Sequence, residues 1–224
     1  MRTRIKICGI TRIEDALAAA QAGADAIGLV FDPKSPRCVD AKQAAAIARA
    51  LPPYITVVGL FVDATPQSVH DVLNRVNLDL LQFHGAETPE YCRAFPKPYV
   101  KAIRMSPDVD LHAEERRFPE AAGLLLDTFS LAASGGTGET FDWSRVPRDL
   151  KKPVILAGGL TPGNVTDAIR RVRPYAVDVS SGVEVSADVQ GRTNVAGAGR
   201  AGATKGIKDT KKIAAFVETV RNTQ

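Results

Sequence analysis

The run ITVVGLFV at residues 55–62 decides the fold. Its β-branched and aromatic side chains favour a strand. A strand with one wet face would alternate apolar and polar residues. This one does not, so both of its faces are buried, as in a parallel sheet covered on both sides. GLLLD at 123–127 reads the same way. Working outward, eight strands are predicted at 4–8, 26–31, 55–62, 80–84, 99–104, 123–127, 153–158 and 176–180. Eight helices are predicted between and after them, at 13–22, 41–51, 66–76, 88–95, 111–117, 143–150, 162–172 and 209–221. Thr65-Pro66 and Thr161-Pro162 each place a hydroxyl at an N-cap and a proline at the first helical position. Gly23 supplies a C-terminal stop, and Pro52-Pro53 ends the second helix.

Strict alternation of strand and helix implies βαβ crossovers. Units of roughly 25–28 residues lie near the lower limit for a (β/α)8 barrel. A doubly wound open sheet is the competitor, and it would carry a GxGxxG turn after its first strand. Here that turn is CGIT at 8–11. A single (β/α)8 TIM barrel over residues 1–224 is therefore expected, of class α/β. One segment breaks the rhythm. VSADVQGRTNVAGAGRAGAT, 185–204, has no core-forming period. The span 185–205 is read as a flexible loop insertion after the eighth strand.

Composition excludes several classes. The 224 residues carry 29 Lys plus Arg against 25 Asp plus Glu, a net charge of +4. The basic residues are scattered, and the 6% of aromatics do not interleave with them, so no nucleic-acid partner is expected. No run approaches ~18 apolar residues, so no membrane span is expected. The opening MRTRIKICGITR lacks a signal-peptide core. The three cysteines, Cys8, Cys38 and Cys92, cannot all pair and fit a reducing compartment. These features predict a cytoplasmic protein. HxH, CxxC and HExxH spacings are missing, so no metal site is expected.

A barrel of this kind works at the C-terminal ends of its strands. Polar residues recur there after apolar interiors: Lys6 and Cys8 on the first strand, His84 after the fourth, Asp127 on the sixth, Asp178 on the eighth. Gly158-Gly159 and Ser180-Ser181-Gly182 follow strands seven and eight, the usual phosphate position of the fold. Glycine lets an oxyanion approach backbone N–H groups, and serine adds donors. Cys8 and Asp127 form a candidate base and acid. Lys6, two residues before Cys8, shares its face of the strand and would favour the thiolate. Asp127 follows three leucines, where partial desolvation would favour its protonated form. One thiolate and one neutral carboxylic acid are what an acid–base isomerisation needs. Each also has a plain structural reading, as a core thiol and a helix cap. Lys101 on the fifth strand is a candidate Schiff-base amine or an electrostatic support.

The chain resembles the phosphoribosylanthranilate isomerase family of tryptophan biosynthesis. The resemblance rests on KICGIT 6–11, GLVF 28–31 with SPR 35–37, LQFHG 81–85, LLLDT 124–128, GGTGETFDW 135–143, LAGGLTPGNV 156–165, DVSSGVE 178–184 and GIKD 206–209. It implies a cofactor-free Amadori rearrangement of N-(5-phosphoribosyl)anthranilate to 1-(o-carboxyphenylamino)-1-deoxyribulose 5-phosphate. Carried over, Asp127 would be the general acid and Cys8 the general base. Arg37 would meet the anthranilate carboxylate. Gly158, Gly159, Ser180 and Ser181 would hold the phosphate, and His84 and Asp178 would line the sugar. The partner would be a small phosphorylated substrate, and the protein a monomer or homodimer. The chain departs from the family in its long 185–205 segment, which lies next to the phosphate half of the expected site. Two alternatives stand beside this reading. A histidine-pathway sister isomerase uses two aspartates, and a cysteine on strand one argues against it. A non-catalytic phosphate-binding barrel would have no need of a matched acid and base.

Overall fold

The computed structural model describes residues 2–128, 140–185 and 205–223. Eight parallel strands pair in sequence order and close, β8 onto β1, into a barrel. The strands are β1 Arg4–Cys8, β2 Ala26–Val30, β3 Thr56–Phe61, β4 Leu80–Phe83, β5 Tyr99–Arg104, β6 Gly123–Asp127, β7 Val154–Leu156 and β8 Ala176–Val179. The helices are α1 Ile13–Ala22, α2 Ala41–Ala50, α3 Pro66–Leu73, α4 Pro89–Arg93, α5 Leu111–Arg117, α6 Val165–Val172 and α7 Thr210–Asn222. No helix among the described residues is long and apolar enough to cross a membrane.

The continuously apolar strands now have a physical account. Successive side chains point to opposite faces. Ile5, Ile7, Ile27, Leu29, Phe61, Leu81, Phe83, Leu124 and Leu126 belong to the large buried cluster that joins strands to helices. The alternate positions form two smaller clusters. One holds Cys8, Val30 and Leu60, the other Ala102, Leu125 and Ala157. Both faces are therefore buried, except where the inner face reaches the open end.

Two helix expectations need correction. The helix predicted over 143–150 is only a 3-10 turn, Trp143–Arg145. Pro147 is the reason. It lacks an N–H, its ring would clash with the Trp143 carbonyl, and it pushes Val146 out of the helical region to φ −84°, ψ 111°. The helix predicted from 162 begins at Val165. Asn164 makes no cap. Its side-chain oxygen accepts from the Thr161 amide at 2.8 Å and its amide donates to the Gly159 carbonyl at 2.9 Å. The residues ahead of α6 thus serve the loop after β7. The other caps behave as expected: Thr65 accepts from the Ser68 amide, and Gly23 is left-handed at φ 100°.

The expected loop insertion falls on 186–204, outside the described residues. Its two flanks are described, and they are joined. The Val185 amide donates to the Ile207 carbonyl at 3.1 Å, and the Asp209 amide to the Val183 carbonyl at 2.9 Å. The buried carboxylate of Asp15 accepts from the Lys208 amide at 3.1 Å. Thr11 donates to the Gly206 carbonyl at 3.0 Å. The GIKD element is held in place by contacts that do not pass through 186–204. Replacing residues 186–204 with a short Gly-Ser bridge is therefore expected to leave folding intact and turnover within about threefold of the parent, because loop length adds little to closure entropy. A folded variant that had lost turnover would overturn this.

Candidate active site

Cys8, Arg37, His84, Asp127, Gly158, Gly159, Asp178, Ser180 and Ser181 all line one cleft at the C-terminal end of the barrel. Nine residues from six stretches of chain meet there because each follows, or sits on, a strand of the same closed sheet.

Cys8 ends β1, is 6% exposed as a residue, and packs beside Val30 and Leu60. Gly28, its partner on β2, makes room for it. A Cβ there would stand 2.7 Å from the Cys8 sulfur and 3.1 Å from the Lys6 Cε. The sequence reading expected Lys6 to favour the thiolate. The structure corrects this. Burial pushes the Cys8 thiol up from its ordinary value, and the pull of Lys6 does not cancel that. The Lys6 ammonium is shared. It donates to Asp178 Oδ2 at 2.7 Å and to Gln82 Oε1 at 2.9 Å. Burial alone would lower the Lys6 ammonium, but Asp178 and Cys8 together hold it above its ordinary value. Burial thus favours the thiol form of Cys8 at neutral pH.

Asp127 ends β6. Its Oδ1 accepts from the Thr128 amide at 2.9 Å, and its Oδ2 lies 3.0 Å from His84 Nε2. Gly158 closes the site from β7 with φ +80°, a conformation that glycine adopts freely. A Cβ there would meet the Thr128 amide at 2.5 Å and Asp127 Oδ1 at 2.9 Å. Gly159 is also left-handed, at φ +64°. Its amide has no acceptor among the described residues. Ser180 follows β8, the strand beside β7, and takes the buried Lys208 ammonium, at 3.1 Å on its carbonyl and 3.3 Å on its hydroxyl. A Gly-bearing turn, two hydroxyls and a nearby ammonium supply the kinds of donor that an anion cradle needs.

The comparisons with known proteins agree on one family. The N-(5'-phosphoribosyl)anthranilate isomerase family model matches residues 5–196. The isomerase of that name from Pseudomonas syringae pv. syringae is 57% identical over 220 residues, covering 98% of each chain. The chain belongs to the phosphoribosylanthranilate isomerase family. The crystal structure of the phosphoribosyl anthranilate isomerase from Thermotoga maritima is 39% identical, with a TM-score of 0.83 over 98% of this chain and 99% of that one. Another phosphoribosyl anthranilate isomerase was solved in complex with reduced 1-(o-carboxyphenylamino)-1-deoxyribulose 5-phosphate. It is 38% identical, with a TM-score of 0.80 over 98% of this chain and 99% of that one.

Several features of the cleft are invisible in the sequence. Arg37 is not a loose fork. Its Nε and Nη2 donate to the two oxygens of Glu184 at 2.6 and 3.0 Å. Lys208 donates to the same carboxylate at 3.0 Å. Burial works against Glu184 as an anion, yet Arg37 and Lys208 hold its carboxyl below the usual range. Val30, Leu60 and Val62 form an apolar wall beside Cys8. The signal for that wall was present, since all three occupy inward positions near strand ends, but apolar residues announce no role. Arg104 ends β5 and also lines the cleft. Lys101 does not enter it. Its ammonium donates to Glu87 at 3.0 Å and to the carbonyls of Phe83, Gly85 and Ala102, at 3.2, 2.7 and 3.2 Å. An amine so engaged is a support for the loop that follows His84, and the Schiff-base alternative lapses. Cys92 is buried, with its thiol pushed up to about 12 by burial, and Cys38 is exposed.

Proposed function

We propose that this protein isomerises N-(5'-phosphoribosyl)anthranilate to 1-(o-carboxyphenylamino)-1-deoxyribulose 5-phosphate, a step of tryptophan biosynthesis, with Asp127 as general acid and Cys8 as general base. The observation that carries it is the placement of Cys8 on β1 and Asp127 on β6, facing one cleft with the anion cradle of β7 and β8 between them. The phosphate would take the Gly158-Gly159 and Ser180-Ser181 loops. The ribose would lie across the barrel mouth, and the anthranilate ring against Val30, Leu60 and Val62. Arg37, aimed by Glu184, keeps Nη1 for the ring carboxylate, an ion pair that a planar guanidinium suits. Asp178 Oδ1 is buried without a partner among the described residues, so a donor from the sugar would satisfy it.

The chemistry follows from that pose. The carboxylic acid of Asp127 gives its proton to the ring oxygen as the C1'–O4' bond breaks. The anilino nitrogen lone pair forms the C1'=N bond, leaving an iminium cation. The Cys8 thiol gives its proton to solvent as the iminium charge forms, and the thiolate then removes the proton from C2'; the C–H electrons form C1'=C2', and the nitrogen recovers its lone pair. The enol-amine tautomerises to the ketone. A thiol that is neutral at rest suits this order. The iminium charge forms beside it, and a nearby cation favours the thiolate.

Freshly made substrate loses its anthranilate fluorescence as it isomerises. The purified protein is expected to accelerate that loss, and to leave the histidine-pathway aminoaldose unchanged. No acceleration over the buffer rate would remove the proposal. Tight binding of the reduced product analogue without turnover would favour the non-catalytic barrel instead.

A further inference from the structure

We infer that Gln82 is a positioning residue, whose buried amide fixes which nitrogen of His84 carries the proton and so aims an N–H at Asp127. The inference rests on the reading of Asp127 as the acid, and it deepens it. Gln82 is fully buried on β4, so no water competes for its amide. Its Oε1 lies 2.9 Å from the Lys6 ammonium, and its Nε2 lies 2.9 Å from His84 Nδ1.

An ammonium has only donors, so the oxygen end of the amide must face Lys6. The NH2 end, also a donor only, must then face His84. That makes Nδ1 the acceptor, and a neutral imidazole with Nδ1 unprotonated carries its hydrogen on Nε2. Nε2 is the atom 3.0 Å from Asp127 Oδ2. The chain of donors therefore runs in one direction, from Lys6 through Gln82 and His84 to Asp127. At its far end Lys6 is itself held by Asp178 at 2.7 Å.

The consequence for the acid is specific. When Asp127 gives up its proton it becomes a carboxylate. The His84 N–H on Oδ2 and the Thr128 amide on Oδ1 are then in place to stabilise that anion without rearrangement. The opposite tautomer would turn a lone pair toward the developing charge. Sequence reasoning passed Gln82 over because a buried glutamine in LQFHG carries no chemistry of its own. Its role appears only with Lys6 on one side and His84 on the other.

Gln82→Glu tests this. A glutamate keeps the acceptor for Lys6 but offers His84 another acceptor, so Nδ1 becomes protonated, and His84 then presents Asp127 with either a lone pair or a full positive charge instead of the neutral Nε2–H. Nitrogen-15 spectra of histidine-labelled protein are expected to show Nε2–H for His84 in the parent and Nδ1–H in the variant. Turnover should fall about tenfold or more, the loss of one hydrogen bond to a charged group, with KM within about twofold. In a His84→Ala background, Gln82→Glu should cost nothing further. A parent His84 with its proton on Nδ1 overturns the inference, whatever Asp127 does. So does an undiminished loss in the His84→Ala background, which would mean the new charge acts on Lys6 and Cys8 directly. Parent-like turnover of Asp127→Asn, by contrast, strikes the acid assignment and leaves the tautomer result standing.

Discussion

Cys8→Ser is expected to lower kcat by at least ~10²-fold, about 2.7 kcal/mol of lost transition-state stabilisation, with little change in affinity for the reduced product analogue. Serine fits the space that Gly28 leaves and keeps the wall of Val30 and Leu60 intact, so folding should be unaffected. A hydroxyl is a far weaker acid than a thiol, and the iminium cannot pull an alkoxide into being at neutral pH. Proton removal from C2' then limits the rate. Substrate deuterated at C2' should show a primary isotope effect in this variant. A titration of the parent carries related information. Burial raises the Cys8 pKa, so the thiolate fraction is small at neutrality and grows as pH rises. Ultraviolet thiolate absorbance, read as the difference between parent and serine variant, should therefore be small at neutrality and appear in the alkaline range. A full thiolate signal at neutrality would overturn the buried-thiol reading, and a serine variant with parent-like turnover would count against Cys8 as the base.

Sequence and structure part company at the charge on Cys8. The position of Cys8 at the end of an inward-facing strand was readable from the apolar run around it and from the barrel register. Its protonation state was not. Lys6 sits two residues away in the chain, and proximity alone predicts a thiolate. The structure adds two facts that no spacing contains: the thiol is buried, and the ammonium is already engaged by Asp178 and Gln82. The same holds at Arg37. The SPR motif places a guanidinium near the cleft, but Glu184, which aims it, lies 147 residues downstream. Long-range polar pairs of this kind arise from barrel closure, and a linear reading sees only their separate halves. Local chemistry fared better, since caps, strand ends and the glycine turns depend on neighbours in sequence. Where local reading failed, at 143–150, the cause was also local: Pro147 ends a helix that periodicity alone would continue.

Asp127→Asn is expected to cost kcat at least as much as the cysteine change, again by ~10²-fold or more, but at an earlier step. Asparagine has the shape of the acid and no proton to give to the ring oxygen. It also offers one oxygen where the carboxyl offers two. Either the His84 N–H or the Thr128 amide must then face an NH2 group, and the anion-stabilising pair is broken. Ring opening becomes limiting, so C2' deuteration should have no effect on the rate. The two variants thereby separate along the reaction. The serine variant still opens the ring and so still scrambles the configuration at C1' of the substrate, while the asparagine variant does neither. Affinity for the reduced product analogue, which needs no proton from Asp127, should stay within about threefold of the parent. If Asp127→Asn instead kept an isotope effect as large as that of Cys8→Ser, ring opening would not depend on Asp127. The acid would then have to be sought among the other groups that line the cleft.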